Sequence, residues 1–229
     1  MDADPRVRLL QLADGLFPAG GYAHSFGLET YVQEGRVKDR AGLEAFLHAM
    51  LEGSAGPGDA VAAVAAARRA QAQASDELYA LDAEIDAMRA PAELREAGRQ
   101  MGRQTLRVAT SLDPTPIVSA FAAAADQGRT PAQHPVVFGL VAGAFGCTPL
   151  DTAQAYLQGT ATIVVSAALR LLSMGQLEGQ KALFAMGPAV TRLAQEAAVK
   201  DTEDLWSFTP GLEIAAMRHS RLDARLFRS

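Results

Sequence analysis

The residues best equipped for chemistry are few and scattered. Four histidines, His24, His48, His134 and His219, are spread over 229 residues, and Cys147 is the only cysteine. No two of them stand at the spacing that closes a zinc or nickel site. A phosphate loop ending in Gly-Lys-Ser/Thr is missing, as is a Gly-x-Ser-x-Gly nucleophile elbow. Asp82, Glu84 and Asp86 stand two apart, which spreads them over different faces of a helix and reads as a solvated surface. His48 follows the apolar stripe of its helix and is expected to be packed. His134 precedes Pro135 and is expected to cap a helix. These residues predict no catalytic group, no metal site and no stably bound cofactor.

Three other segments carry residue types suited to recognition. Pro18-Ala19-Gly20-Gly21-Tyr22-Ala23-His24-Ser25-Phe26-Gly27-Leu28-Glu29 combines adjacent glycines with polar side chains. Such glycines permit unusual backbone angles or the close approach of another chain. They equally suit a tight loop packed with small residues. Arg95, Arg99, Arg103 and Arg107 repeat every four residues, a line of like charge along one helix face. Gly98 and Gly102 beside them leave room for a neighbouring helix. The face is either solvated or matched to acidic groups on a partner or within the fold. The closing stretch holds Arg218, His219, Arg221, Arg225, Leu226, Phe227 and Arg228. Arginine beside an apolar aromatic is the composition of a binding hot spot, and the same stretch also suits a disordered end that folds on a partner.

The elements that must position these residues are helical. Aromatics are only 6% of the chain and alanine is abundant, which favours closely packed helices over sheets. Asp4 with Pro5, Asp39, Pro91 and Thr148-Pro149 mark helix starts. Leu43, Phe46, Leu47, Met50 and Leu51 trace one buried face. Gly53 to Gly58 reads as a flexible break, with Asp59 opening the next helix. A helix near 149–174, apolar on nearly every side after Gly159, is expected at the centre of a bundle, followed by helices over 177–186 and 188–198. No segment reads as a strand. The expected architecture is all-α: a single-domain bundle of about ten helices over 1–209, with a flexible partner-binding tail over 210–229. A formal charge of −5 argues against general nucleic-acid binding. One cysteine and no long apolar run point to a cytoplasmic protein without a membrane span.

Together, Leu9-Leu10-Gln11-Leu12, the segment from Phe17 to Glu29, His134-Pro135-Val136-Val137-Phe138-Gly139, Ser166-Ala167-Ala168-Leu169-Arg170 and Arg225-Leu226-Phe227-Arg228-Ser229 resemble the urease accessory protein F family (UreF). The likeness covers nearly the whole chain. Ser220 and Asp223 stand where the family often has glutamate and an aromatic. The resemblance implies an all-α homodimer that joins urease accessory protein D (also called H) and the GTPase urease accessory protein G. That assembly delivers nickel to the urease apoprotein as GTP is hydrolysed, with the GTP bound by the partner GTPase. It places partner contacts at Pro18, Gly20, Gly21, Tyr22, His24, Ser25, Gly27 and Glu29, and at Arg218, His219, Arg225, Leu226, Phe227 and Arg228. Arg99 and Arg103 join them from the arginine line. In the main reading the chain is an adaptor and not an enzyme. In the alternative it activates the partner GTPase, with Arg99 or Arg103 reaching into the nucleotide site.

Overall fold

The computed structural model describes residues 3–229, and among them no strand occurs. Eleven α-helices follow one another: α1 Pro5–Ala13, α2 Leu28–Gln33, α3 Arg40–Met50, α4 Val61–Gln71, α5 Ser75–Met88, α6 Ala92–Leu112, α7 Pro116–Asp126, α8 His134–Ala144, α9 Pro149–Leu171, α10 Gln176–Ala198 and α11 Pro210–His219. The expected capping residues operate. Asp4 accepts from the Arg6 amide at 2.8 Å, Asp39 from Gly42 at 3.0 Å and Thr148 from Asp151 at 3.1 Å, each satisfying a donor that a helix start leaves free. Leu43, Phe46, Leu47 and Met50 form the buried face of α3.

The centre of the bundle is the pair α4 and α8, and not α9 as the sequence suggests. Val61 to Ala67 are all buried, and so are Pro135 to Gly143. Alanines on α4 and two glycines on α8 let the backbones meet. A Cβ at Gly139 or Gly143 would run into the main chain of Ala63 or Ala67. The helix α9 instead keeps Gln158, Ser166 and Arg170 exposed along one side.

Two expected breaks are continuous helix. Residues Leu51–Ala60 form a π-helical stretch that joins α3 to α4 and buries Ala55, Gly56, Pro57 and Gly58. Its wider turns leave carbonyls unpaired, and an extended strap fills two of them: the Phe208 amide donates to Gly53 at 2.7 Å and the Trp206 amide to Pro57 at 3.4 Å. Pro188 lies inside α10 rather than between two helices. Its ring is on the exposed side, where water can take up the carbonyl that proline leaves without a donor.

Three side-chain expectations are corrected. His48 is exposed, at the edge of the α3 stripe. His134 is the first residue of α8, and Gln133 occupies the cap. Asp82 is fully buried, not solvated. It accepts the Thr130 hydroxyl and the amides of Ala132 and Gln133, at 2.6 and 2.7 Å for the amides. Burial raises its pKa and these bonds oppose that rise. The carboxylate pins the turn before α8, and Gly98 and Gly102 of α6 make room for that turn rather than for another helix.

Candidate functional site

The segment from Gly20 to Glu29 turns twice with positive φ. Gly20 and Gly27 both have φ of 86°, a conformation that costs glycine nothing and other residues dearly. Between them a single 3-10 turn, Gly21–Ala23, buries Gly21 and leaves Tyr22 73% exposed. His24 and Ser25 then point inward, and Gly27 caps α2 so closely against α11 that a Cβ would stand 3.2 Å from the Leu212 carbonyl. The consequence is that Glu29 enters the interior, only 2% exposed.

What Glu29 meets there is the segment expected to be a flexible tail. Residues 210–219 form α11, and 220–229 fold back along the glycine loop. The Glu29 carboxylate accepts the amides of Leu226 at 2.7 Å and Phe227 at 3.1 Å, and faces His219 Nε2 at 2.9 Å. His219 Nδ1 faces Glu93 at 2.7 Å, on the first turn of α6, and Arg225 reaches the same carboxylate at 3.2 Å. Further along, the Ser25 amide and hydroxyl both donate to the Ser229 main-chain oxygen, at 2.7 and 2.9 Å, and the Arg228 amide donates to Ala23 at 2.9 Å. His24 Nδ1 lies 2.9 Å from the Ser229 hydroxyl. Burial first, and then the nearby Arg228 charge, hold the His24 pKa down at about 4.

The structure therefore gathers the sequence-predicted residues and divides them into two roles. Gly21, His24, Ser25, Gly27, Glu29, His219 and Phe227 are buried and hold the loop and the segment together. Pro18, Tyr22, Arg218, Arg225, Leu226 and Arg228 are exposed, although Arg218 also reaches Glu34 at 3.3 Å. A groove of about 560 Å³ opens here, lined by Pro18, Gly20, Tyr22, Leu226 and Arg228 together with Gln100 and Gln104 of α6 and Arg170 of α9. The arginine line is not one face. Arg95 donates to the Arg89 carbonyl at 3.1 Å. Arg99 grips Asp86 through two bonds of 2.7 and 2.6 Å, which lowers the Asp86 pKa. Arg103 and Arg107 are exposed. Arg99 is thus tied to Asp86 by a bidentate pair while its side chain stays 33% exposed.

Sequence reasoning missed Glu93, whose role depends on contacts 126 residues away and has no local signal. It also missed an interior polar cluster. Arg89 pairs with Asp59 at 2.5 Å, Tyr156 donates to the same carboxylate at 3.2 Å, and the His134 ring packs against Tyr156. A cavity of about 80 Å³ lies beside them. Burial, and then the Arg89 charge, bring the His134 pKa down to about 4.

Among the described residues no group of three or more His, Cys, Asp or Glu side chains is placed to hold a metal ion. In the Glu29–His219–Glu93 chain each nitrogen serves a different carboxylate, so the three groups do not converge. The Cys147 thiol, buried near Asp151 and Asp4, is pushed up to about 11 and is a poor thiolate at neutral pH. Among the described residues no helix is long and apolar enough to cross a membrane.

Fold and site define an all-α protein in which a glycine loop and residues 220–229 are bonded together beside a groove. The UreF family model matches residues 37–187. The chain is 31% identical over 226 residues to urease accessory protein UreF of Trichodesmium erythraeum (strain IMS101), covering 99% of this chain and 97% of that one. It is 32% identical over 224 residues to that of Arthrobacter sp. (strain FB24), covering 98% and 97%. It is 36% identical over 231 residues to that of Xanthobacter autotrophicus (strain ATCC BAA-1158 / Py2), covering 100% and 94%. The chain belongs to the UreF family of urease accessory proteins.

Proposed function

We propose that the chain is an adaptor in nickel insertion into urease, joining the D/H accessory protein to the G GTPase. The observation that carries the proposal is the joining of the glycine loop and residues 220–229 into one surface. Tyr22, Leu226 and Arg228 stand outward there around a groove that Gln100 and Gln104 of α6 also line. An aromatic, an aliphatic and an arginine around a groove are the residues that carry most of the energy in protein interfaces. Nickel and GTP are handled by the assembled complex and its GTPase, as substrate and partner ligand.

Co-expression with the two accessory proteins tests this. Tyr22→Ala with Arg228→Glu is expected to keep the helical fold, since both side chains are exposed, and to abolish co-purification with at least one partner. Retained co-purification with both would contradict the proposal. Arg103 is exposed, which keeps the GTPase-activating alternative specific to one side chain. An adaptor role predicts that Arg103→Ala leaves GTP turnover of the assembled complex within a few-fold, whereas loss of an arginine finger costs about 10³-fold or more.

A further inference from the structure

Arg170 touches both parts of the proposed partner surface while belonging to neither. It stands near the end of α9, with its side chain exposed. Its guanidinium donates to the Tyr22 main-chain carbonyl at 2.6 Å. The same group lies over the Phe227 ring, 4.2 Å from the ring centre. The hydrogen bonds described above tie the glycine loop, α2 and residues 220–229 to one another, and His219 and Arg225 tie them to α6. Arg170 adds a connection to α9, one of the two longest helices of the bundle.

We propose that Arg170 is a positioning residue that fastens the glycine loop and residues 220–229 to α9 as a unit, setting the spacing of Tyr22, Leu226 and Arg228 along the groove. The argument is geometric. A guanidinium is planar, so its edge can donate to a carbonyl while its face covers an aromatic ring. A lysine ammonium is a point charge that serves one of these contacts well. Because Arg170 is exposed, removing it opens no cavity in the core, and its effect should stay local. The inference rests on the partner-surface reading above and names the residue that sets that surface.

Residue-resolved amide hydrogen exchange on the full chain provides the test, comparing wild type with Arg170→Met, Arg170→Lys and Phe227→Leu. In Arg170→Met the amides of Ser25, Leu226, Phe227 and Arg228 should exchange about tenfold faster, while α4 and α8 stay as in wild type. Arg170→Lys should fall between the two. Phe227→Leu should reproduce part of the local loosening, and combining it with Arg170→Met should add less than the sum of the two, as expected of residues in contact. Unchanged exchange over residues 225–229, or a uniform rise that includes α4 and α8, would overturn the clamp whatever the partners do. Local loosening with undiminished co-purification of both partners would leave the clamp standing and sink the partner-surface reading instead.

Discussion

Three donors and one carboxylate meet at Glu29, and the balance there is easily upset. Removing the carboxylate strands two main-chain amides and leaves His219 facing Glu93 alone in a buried site. Each buried amide left without an acceptor costs about 1–3 kcal/mol, so Glu29→Ala should lower the urea midpoint sharply. Glu29→Gln keeps one acceptor and should cost less. Equal midpoints for the two variants would show that the charge, lost in both, holds the site, and that the volume and neutral acceptor kept by glutamine add nothing. His24 gives a second prediction with a defined pH window. Its pKa is about 4 in the fold against 6.5 for the free side chain. The neutral ring is therefore favoured by folding. That contribution is complete above about pH 6.5 and disappears as pH falls towards 4, where it has cost roughly 3 kcal/mol. His24→Asn should flatten that part of the stability-versus-pH curve. His134 is depressed in the same direction, so the variant curve should still slope downward into acid. An unaltered slope would mean that His24 is not buried neutral. Asp82 works in the opposite direction, since its raised pKa favours the protonated form in the fold, so the effect of His24 is read from the difference between the variant and wild-type curves.

At the scale of elements, what the sequence makes legible is what local chemistry decides. The caps at Asp4, Asp39 and Thr148 and the stripe on α3 are set by residues within one or two turns. Gly53 to Gly58 reads as a break because glycine and proline disfavour an isolated helix. The stretch stays helical because the strap at Trp206 and Phe208, some 150 residues later, supplies partners that no local pattern announces. The same limit explains the central pair. Alanine and glycine on α4 and α8 look unremarkable in sequence, yet their small size lets the two backbones touch. Gly139→Val should therefore cost about 3 kcal/mol or more or prevent folding, because the obstructing atoms are backbone and cannot move aside. By contrast, an added Cβ at Gly187 inside α10 meets nothing within 4 Å beyond its chain neighbours, but the ring of Pro188 crowds a Cβ on the helical residue before it. Gly187→Ala should therefore gain less than the roughly 0.5–1 kcal/mol of an ordinary helical glycine. Urea denaturation of both variants checks the pair, and a full-sized gain in Gly187→Ala would show that the proline ring does not crowd that position.

For the whole molecule, the recognisable motifs lay far apart in sequence, and their meeting was not legible. The glycine loop and the arginine-rich end are separated by about 200 residues, yet they hydrogen-bond directly, as Ser25 with Ser229 shows. Sequence reasoning placed the boundary of the separable segment at residue 210. The packing moves it, because α11 buries Leu212, Ala215, Ala216 and His219 against α2 and its neighbours. Cutting at 218 would remove the fully buried His219 and leave Glu29 and Glu93 without their shared partner. Deleting 220–229 keeps that pair and removes Phe227, the two amides on Glu29 and the ring under Arg170. The truncated chain should retain the helical circular-dichroism signal and still unfold cooperatively. Its midpoint should be lower, since burying one aromatic contributes on the order of 2–3 kcal/mol. It should fail to co-purify with the D/H and G proteins. A truncated chain that melts outright would show that these residues are integral to the bundle. One that stays folded and binds both partners would show that the groove they border is not where the complex forms.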